Sequence, residues 1–243
     1  MAMTRAPKSA GGRFVARAVL AVSAALLGCG DDARTRTAEE RGKTLFQSAV
    51  ASDAPGNVFA CATCHGTTAP RRFDTGSSLL GAPNRPSFWG GTEVDYLRAL
   101  NQCRRGFMGA SQDYASTDLD ALDLTAYLLS EGGSISPQPF SVVTTITNVA
   151  NGDATRGESV MVAACSRCHG DADGHDRLSV RIPSLRADFQ RAHATYTPAE
   201  RRLIFIEKVR HGSFLGYGGD MPPYGLEAMG DTDLSDLLAY LGL

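Results

Sequence analysis

The 243-residue chain lacks the features of several large protein classes. It contains no paired catalytic carboxylates, no nucleophile elbow and no phosphate-binding glycine loop that would predict another chemistry. Its 24 basic residues do not outnumber its 26 acidic residues, so a nucleic-acid partner is not expected. The apolar run from Ala18 to Leu27 is too short to span a bilayer. Hydrophobic content of 43% and charged content of 21% are ordinary, so motifs must supply the information about function.

The flanks of this apolar run are those of an export signal. No acidic residue occurs before Asp31, and four basic residues precede the run: Arg5, Lys8, Arg13 and Arg17. This pattern predicts a signal peptide over residues 1–29. The run ends in Leu26-Leu27-Gly28-Cys29, which resembles the lipobox of bacterial lipoproteins, with plain secretion as the alternative. The resemblance implies a lipid on Cys29 and, because Gly30 rather than aspartate follows, an anchor in the outer membrane.

Export sets the expected location and charge of the mature chain. Residues 30–37 are polar and suit a tether, so we expect the protein on the periplasmic side, held to the membrane only by its lipid. Loss of residues 1–29 removes four basic residues and no acidic ones, which leaves a formal charge of −6. A partner with a basic docking face is therefore expected.

Cysteine is scarce outside one repeated pattern. Four of the six cysteines lie in two copies of C-x-x-C-H, Cys61 to His65 and Cys165 to His169. Cys29 belongs to the lipobox, which leaves only Cys103, so a disulfide framework is excluded as the main purpose of the cysteines.

The pattern C-x-x-C-H is the attachment signature of c-type haem. Two thiols at this spacing reach the two vinyl groups on one edge of a porphyrin, while the adjacent imidazole turns under the ring to ligate iron. A zinc site or a redox dithiol is the alternative for C-x-x-C alone. The following histidine, the export signal and the repetition argue against that alternative.

The two halves of the chain repeat one order of features. Residues 118–128 and 231–241 share the pattern D-x-D-x-x-D-L-x-A-Y-L, and Arg41-Gly42 recurs as Arg156-Gly157. Met108 lies nineteen residues before Tyr127, and Met221 lies nineteen residues before Tyr240. These matches predict a duplicated domain of about 100 residues. We expect domains over residues 38–131 and 151–243, joined by a linker over residues 132–150.

Hydrophobic periodicity and capping residues predict helices around the motifs. In the first half, helices begin near Ala38, at Thr92 as N-cap, and at Ser116 or Thr117; the second of these ends at Gly106, before a loop that carries Met108. In the second half, Thr197 to Glu200 forms a capping box that opens a helix ending at His211-Gly212, and a last helix runs from about Thr232 to Leu241. Residues 142–149 are either a short strand or extended linker.

These residues resemble class I cytochrome c domains: C-x-x-C-H after a first helix, a proline-containing loop, a helix ending in glycine, a loop with methionine, and a last helix with a Tyr-Leu pair. The resemblance covers about residues 38–130 and 151–243. It implies an all-α fold of two haem-binding domains with two covalently bound haem c groups. It also implies a structural role for Arg41-Gly42 and Arg156-Gly157, where the first helix of each domain crosses the last.

The resemblance further implies roles for individual residues. The thioethers fall on four cysteines: Cys61, Cys64, Cys165 and Cys168. His65 and His169 become the proximal iron ligands, and the carbonyls of Pro86 and Pro183 accept a hydrogen bond from them. Met221, in a Met-Pro loop, and Met108, placed by the shared offset, become the distal ligands.

Cys103 allows two interpretations. Its position in the helix predicted to begin at Thr92 corresponds to Val209, which favours a buried thiol that only packs. The neighbours Arg104 and Arg105 favour a thiolate, because positive charge lowers a thiol pKa. A thiolate on iron resembles the cysteine-ligated haems of sulfur-oxidising cytochromes.

Together these features predict a di-haem cytochrome that transfers one electron at a time between redox proteins. The alternative is a haem enzyme, a peroxidase or an oxidoreductase of sulfur compounds. In it the first haem is open or ligated by cysteine, and the second relays electrons. A haem-based sensor or a subunit of a larger oxidase or reductase is a third class that the sequence leaves open.

Overall fold

Helices make up the regular secondary structure of the residues that the computed structural model describes, which are 36–66, 72–141, 143–212 and 221–243. Those ranges contain no β-strand, only two isolated bridges. The first half holds α1 (Ala38–Gln47), α2 (Cys61–Cys64), α3 (Tyr96–Met108) and α4 (Leu119–Ser130). The second half holds α5 (Ala154–Val160), a π turn (Met161–Cys165), α6 (Ser166–His169), α7 (Ala187–Ala192), α8 (Pro198–His211) and α9 (Asp231–Leu241). The all-α prediction is confirmed.

The predicted export signal over residues 1–29, with Cys29, lies outside the described residues, as does the tether up to residue 35. Val142, in the segment that was a candidate strand, lies outside them too. No helix in the described ranges is long and apolar enough to cross a membrane.

In each half, the first helix crosses the last with the two backbones in direct contact. A Cβ atom on Gly42 of α1 would stand 1.9 Å from the carbonyl oxygen of Asp123 in α4. A Cβ atom on Gly157 of α5 would stand 2.0 Å from the carbonyl oxygen of Asp236 in α9. Only glycine leaves room for this approach at either position.

An ion pair beside each glycine holds the crossing in register. Arg41 donates two hydrogen bonds of 2.7 Å to the carboxylate of Asp123, and Arg156 donates bonds of 2.8 and 2.9 Å to that of Asp236. Both carboxylates are buried, so the bidentate geometry also satisfies oxygens that water does not reach. The Arg-Gly pairs therefore act structurally, as expected.

Each half packs a hydrophobic cluster around its crossing. In the first half, Phe46 of α1 lies against Tyr127 of α4 with ring centroids 5.5 Å apart. The cluster of the second half is larger and includes Leu234, Leu237 and Leu238 of α9, all with no exposed surface.

Residues 36–243 form one compact unit, and several contacts join the two halves. Arg72 pairs with Asp233 of α9, and the amide of Phe73 donates a 3.0 Å hydrogen bond to the carbonyl of Ala228. Ser141 bonds to Glu227. Residues 143–149 form no strand, and Ile146 and Val149 pack against the core of the second half.

Helix α3 differs from its prediction at both ends. Asp95 rather than Thr92 is the N-cap, because its carboxylate accepts a 2.7 Å hydrogen bond from the amide of Arg98. The helix continues past Gly106 and ends at Gly109, whose φ of 65° is left-handed. Met108 is 5% exposed and lies in the last turn of α3, so the prediction that a loop carries it was wrong. Burial of the Met108 side chain offsets the modest cost of a helical glycine.

In the second half, the predicted capping box is confirmed. The Thr197 hydroxyl accepts a hydrogen bond from the amide of Glu200, whose carboxylate accepts one from the amide of Thr197. Helix α8 begins at Pro198 and ends at His211, and α9 begins one residue before its predicted start. The sequence did not predict α7 or the π turn.

Substitution of Gly157 tests the helix crossing. We expect Gly157→Ala to lower the free energy of unfolding by ~1–3 kcal/mol or more, because its methyl group meets backbone that cannot move aside. Gly106→Ala is the matched control: a Cβ there meets nothing within 4 Å. We expect it to stabilise the protein by ~0.5–1 kcal/mol, since alanine is the better helix former. Urea unfolding followed by circular dichroism measures both, and equal effects would contradict the crossing.

Candidate haem-binding sites

The second C-x-x-C-H motif occupies the junction between α5 and α6. The π turn that joins these helices ends at Cys165, and Cys168 and His169 follow within α6. Turns of this kind occur often at functional sites, because they re-aim the residues that follow. The Nδ1 atom of His169 lies 2.8 Å from the carbonyl oxygen of Pro183. A carbonyl oxygen only accepts, so Nδ1 carries the proton and Nε2 is the nitrogen left for a metal.

In the first motif, a residue other than the expected proline orients the histidine. The Nδ1 atom of His65 lies 2.8 Å from the carbonyl oxygen of Ser77, whereas Pro86 is exposed to solvent. The prediction for Pro86 was therefore wrong. The chain folds back directly after the motif, where the amide of Gly76 bonds to the carbonyl of Cys64 at 3.0 Å. A Cβ atom on Gly76 would stand 2.3 Å from the imidazole of His65, so glycine makes room for the ring.

The protonation states of these groups suit metal and thioether chemistry. Desolvation lowers the pKa of His65 and of His169, which keeps both imidazoles neutral at pH 7, as ligation requires. Burial raises the pKa of Cys61 and of Cys168 to about 11, and that of Cys165 to about 12. The thiols are therefore protonated at neutral pH before any attachment.

A cavity of about 670 Å³ opens beside the second motif. It is lined by Cys165, Cys168 and His169, and also by Met221. Much of the rest of its lining is apolar and comes from α7, α8 and the loop before α9: Phe189, Phe205, Val209, Tyr224 and Met229. Residues of the first half line it too, among them Phe59, Cys64 and Phe107. The fold therefore brings Pro183 and Met221, which come later in the sequence, to the cavity of the motif that contains Cys165, Cys168 and His169.

A smaller cavity of about 470 Å³ opens beside the first motif. Cys61 and His65 line it, and so does Cys103, whereas Met108 does not. Apolar residues complete the walls: Phe46, Leu79, Trp89, Leu100, Leu124 and Leu128. Met108 instead lines the larger cavity, near Cys64. Met108 lies five positions after Cys103 in α3, so the two side chains point ~140° apart around the helix axis. Because α3 continues as a helix past Gly106, Cys103 rather than Met108 lines the cavity of the first motif.

The basic pair beside Cys103 has structural partners. The buried Arg104 side chain donates to the carbonyls of Ala51 and Gln112 at 2.7 and 2.9 Å, and its guanidinium lies 3.4 Å from the ring centroid of Tyr114. Arg105 pairs with Asp113 at 3.3 Å on the surface.

Burial outweighs these charges at the thiol itself, because it raises the pKa of Cys103 well above the ordinary value. In the protein without a metal, burial thus favours the interpretation of Cys103 as a protonated thiol over the thiolate. A metal at the site would itself deprotonate a coordinating thiol.

Comparison with known proteins bears on the second half. The model of the family described as "Cytochrome C oxidase, cbb3-type, subunit III" matches residues 152–241. Residues 152–241 form a cytochrome c family domain. A domain of this family holds haem c covalently, and this cytochrome c domain contains Cys165, Cys168, His169 and Met221.

The chain was also compared with solved structures and with curated proteins. The solved thiosulfate dehydrogenase (TsdBA) of Marichromatium purpuratum aligns over 84% of this chain at 20% identity, with a TM-score of 0.41. The alignment covers 45% of that protein, so the chain matches less than half of its length. A search of curated proteins found no match.

The residues of both sites fit haem c. Each cavity has mainly apolar walls and is lined by the oriented imidazole of its own motif, with Cys165 and Cys168 at the larger cavity and Cys61 at the smaller one, whereas Cys64 lines the larger cavity. In the cytochrome c domain a soft thioether, Met221, stands on the same cavity. In the first half a sulfur is also present, but it belongs to Cys103.

Substitution of Gly76 tests the orientation of His65. We expect Gly76→Ala to displace the imidazole, because the added methyl group would overlap the ring. With haem c bound at both motifs, the absorption spectrum and the reduction potential of the group at His65 should change, while those of the group at His169 stay the same and serve as the internal control. A redox titration followed by absorbance measures both. Unchanged behaviour of the first haem would show that His65 is not held as described.

Proposed function

We propose that this protein is a di-haem c-type cytochrome that transfers one electron at a time between redox partner proteins. The observation that carries the proposal is the pairing of His169 and Met221 on one cavity, beside the two cysteines of the second motif. His and Met ligands saturate the iron, which favours electron transfer and hinders substrate chemistry at the metal. The repeated helix crossing and the first C-x-x-C-H motif support a second haem in the other half.

Different residues attach the cofactors, orient the imidazoles and adjust the reduction potential. Cys61, Cys64, Cys165 and Cys168 hold the cofactors covalently, and the carbonyls of Ser77 and Pro183 fix the two imidazoles. Apolar walls keep water away from the sites, and Met221 favours the reduced state because a thioether is a weak, soft donor. When bound, haem c supplies a one-electron iron couple.

The proposal includes a location and a kind of partner. The signal-like residues 1–29 support export to the periplasmic side, with Cys29 as a lipid attachment site that would anchor the protein to the outer membrane. The formal charge of −6 that then remains supports redox partners with a basic docking face.

Haem content and the ligation of the second haem test this function. We expect the purified protein to contain two covalent haems, measured as the pyridine haemochrome. We expect Met221→Leu to abolish the charge-transfer band of the methionine-ligated ferric haem and to lower its potential.

Met161→Leu is the matched control, since Met161 is 2% exposed, lines neither cavity and tolerates a swap of similar volume. It should leave spectrum and potential unchanged. Absence of covalent haem would overturn the proposed function, and an unchanged spectrum in Met221→Leu would overturn the ligand assignment.

A second function has one specific observation in its favour. Cys103 lines the cavity of His65 and Met108 does not, which supports a first haem with a cysteine ligand. A thiolate ligand lowers the reduction potential and donates electron density to iron. The first site would then act on a sulfur compound or a peroxide, and the second would relay electrons.

Separate substitution of the two sulfur residues distinguishes the functions. If Cys103 ligates iron, Cys103→Ser changes the electron paramagnetic resonance spectrum of the first haem and raises its potential, whereas Met108→Leu changes neither. The geometry leads us to expect this result. A change in Met108→Leu alone would remove the support for the enzyme. Turnover of thiosulfate or peroxide by the wild type, lost in Cys103→Ser, would establish it.

A further inference from the structure

The two C-x-x-C-H motifs lie against each other. Arg167, inside the second motif, donates a 2.8 Å hydrogen bond to the carbonyl oxygen of Thr63, inside the first. Both residues occupy variable positions between the cysteines of their motifs, where haem attachment itself does not demand a particular side chain.

The same guanidinium also approaches a carboxylate of the first half. The Nη2 atom of Arg167 lies 3.8 Å from the Oδ1 atom of Asp74, whose side chain is 8% exposed. Asp74 and its neighbour Thr75 line both cavities, so they belong to the wall between the two sites. Cys64 of the first motif lines the same cavity as Cys168 of the second. Arg167 therefore joins the two motifs beside residues that line both cavities.

This bridge contributes little to the stability of the fold as a whole. The Arg167 side chain is 42% exposed, and ion pairs with that much solvent access contribute little free energy. The geometry of the contact is specific: Nη1 donates the hydrogen bond to Thr63, while Nη2 of the same planar group approaches the Asp74 carboxylate as a charge contact. An ammonium does not reproduce this planar arrangement. Its charge also lies beside both sites, where a cation stabilises the more electron-rich state of each.

We infer that Arg167 is a positioning residue that fixes the separation of the two haem attachment sites and raises the reduction potential of both. The inference rests on the proposed di-haem function. Cys61, Cys64 and His65 would hold one haem and Cys165, Cys168 and His169 the other, and Arg167 would set the distance for exchange of one electron between them. The electron that one group would lose the other would gain, with no bond or proton transferred.

Two substitutions separate the positional role from the role of charge. We expect Arg167→Ala to slow electron exchange between the haems several-fold and to lower both potentials. We expect Arg167→Lys to keep both potentials close to wild type, since the charge remains, but to slow the exchange, since the planar group is lost. Photochemical reduction followed by transient absorbance measures the exchange rate, and spectroelectrochemistry measures the potentials, on the full haem-loaded chain.

Arg72→Ala is the matched control. Arg72 also joins the halves, through Asp233 of α9, and it too lies on the surface, but its described contacts are with Asp233 and the ring of Phe73 rather than with either motif. We expect it to leave rate and potentials unchanged.

Wild-type rate and potentials in Arg167→Ala would overturn the inference, and so would an equal loss in Arg72→Ala, which would indicate general loosening of the interface. Measurement of the haem content of each variant distinguishes failure of this inference from failure of the proposed function. A wild-type chain without two covalent haems overturns both, whereas two haems with an unaffected Arg167→Ala overturn the inference alone.

Discussion

Backbone contact between the first and last helix of each half is the constraint on which the rest of the structure depends. At Gly42 and at Gly157 the neighbouring helix comes so close that a single methyl group would not fit. Each C-x-x-C-H motif follows the first helix of its half, so the crossing sets where the thiols and the imidazole stand relative to the core. The bidentate pairs Arg41–Asp123 and Arg156–Asp236 prevent rotation about the point of contact.

On this shared frame the two halves build different sites. Val209 of α8 and Cys103 of α3 hold corresponding positions, and each lines the cavity of its own half. The arginines that follow them, Arg210 and Arg104, are both buried and both bond to carbonyls of the loop beyond the helix. The two halves thus share the structural arginine, while the residue before it is a valine in one half and a cysteine in the other.

The two halves also differ in where the methionine lies, because the helix before it ends at different points. In the second half α8 ends at His211, and a long connection before α9 returns Met221 to the cavity. In the first half α3 runs on to Met108 and the connection to α4 is short, so this methionine stays on the helix, away from His65. In the proposed di-haem protein, these unequal donor sets would give the two haems unequal reduction potentials, and electron transfer between them a preferred direction.

Local chemistry made much of the protein predictable from its sequence. The C-x-x-C-H motifs, the Arg-Gly pairs, the capping box at Thr197 and the all-α fold all follow from short patterns with their own physical cause. The carbonyl of Pro183 beside His169 was expected from family resemblance and is where the structure has it.

Tertiary structure alone decided how the sites differ. Ser77 rather than Pro86 reaches His65, because the chain folds back at Gly76. Cys103 rather than Met108 faces the first cavity, because packing carries α3 past a glycine that looks like a stop. Arg167 meets Thr63 across the interface of two halves whose contact leaves no local pattern. A motif consists of a few neighbouring residues and can be recognised in the sequence. The contacts of a side chain depend on which distant segments fold against it, so the sequence alone does not predict them.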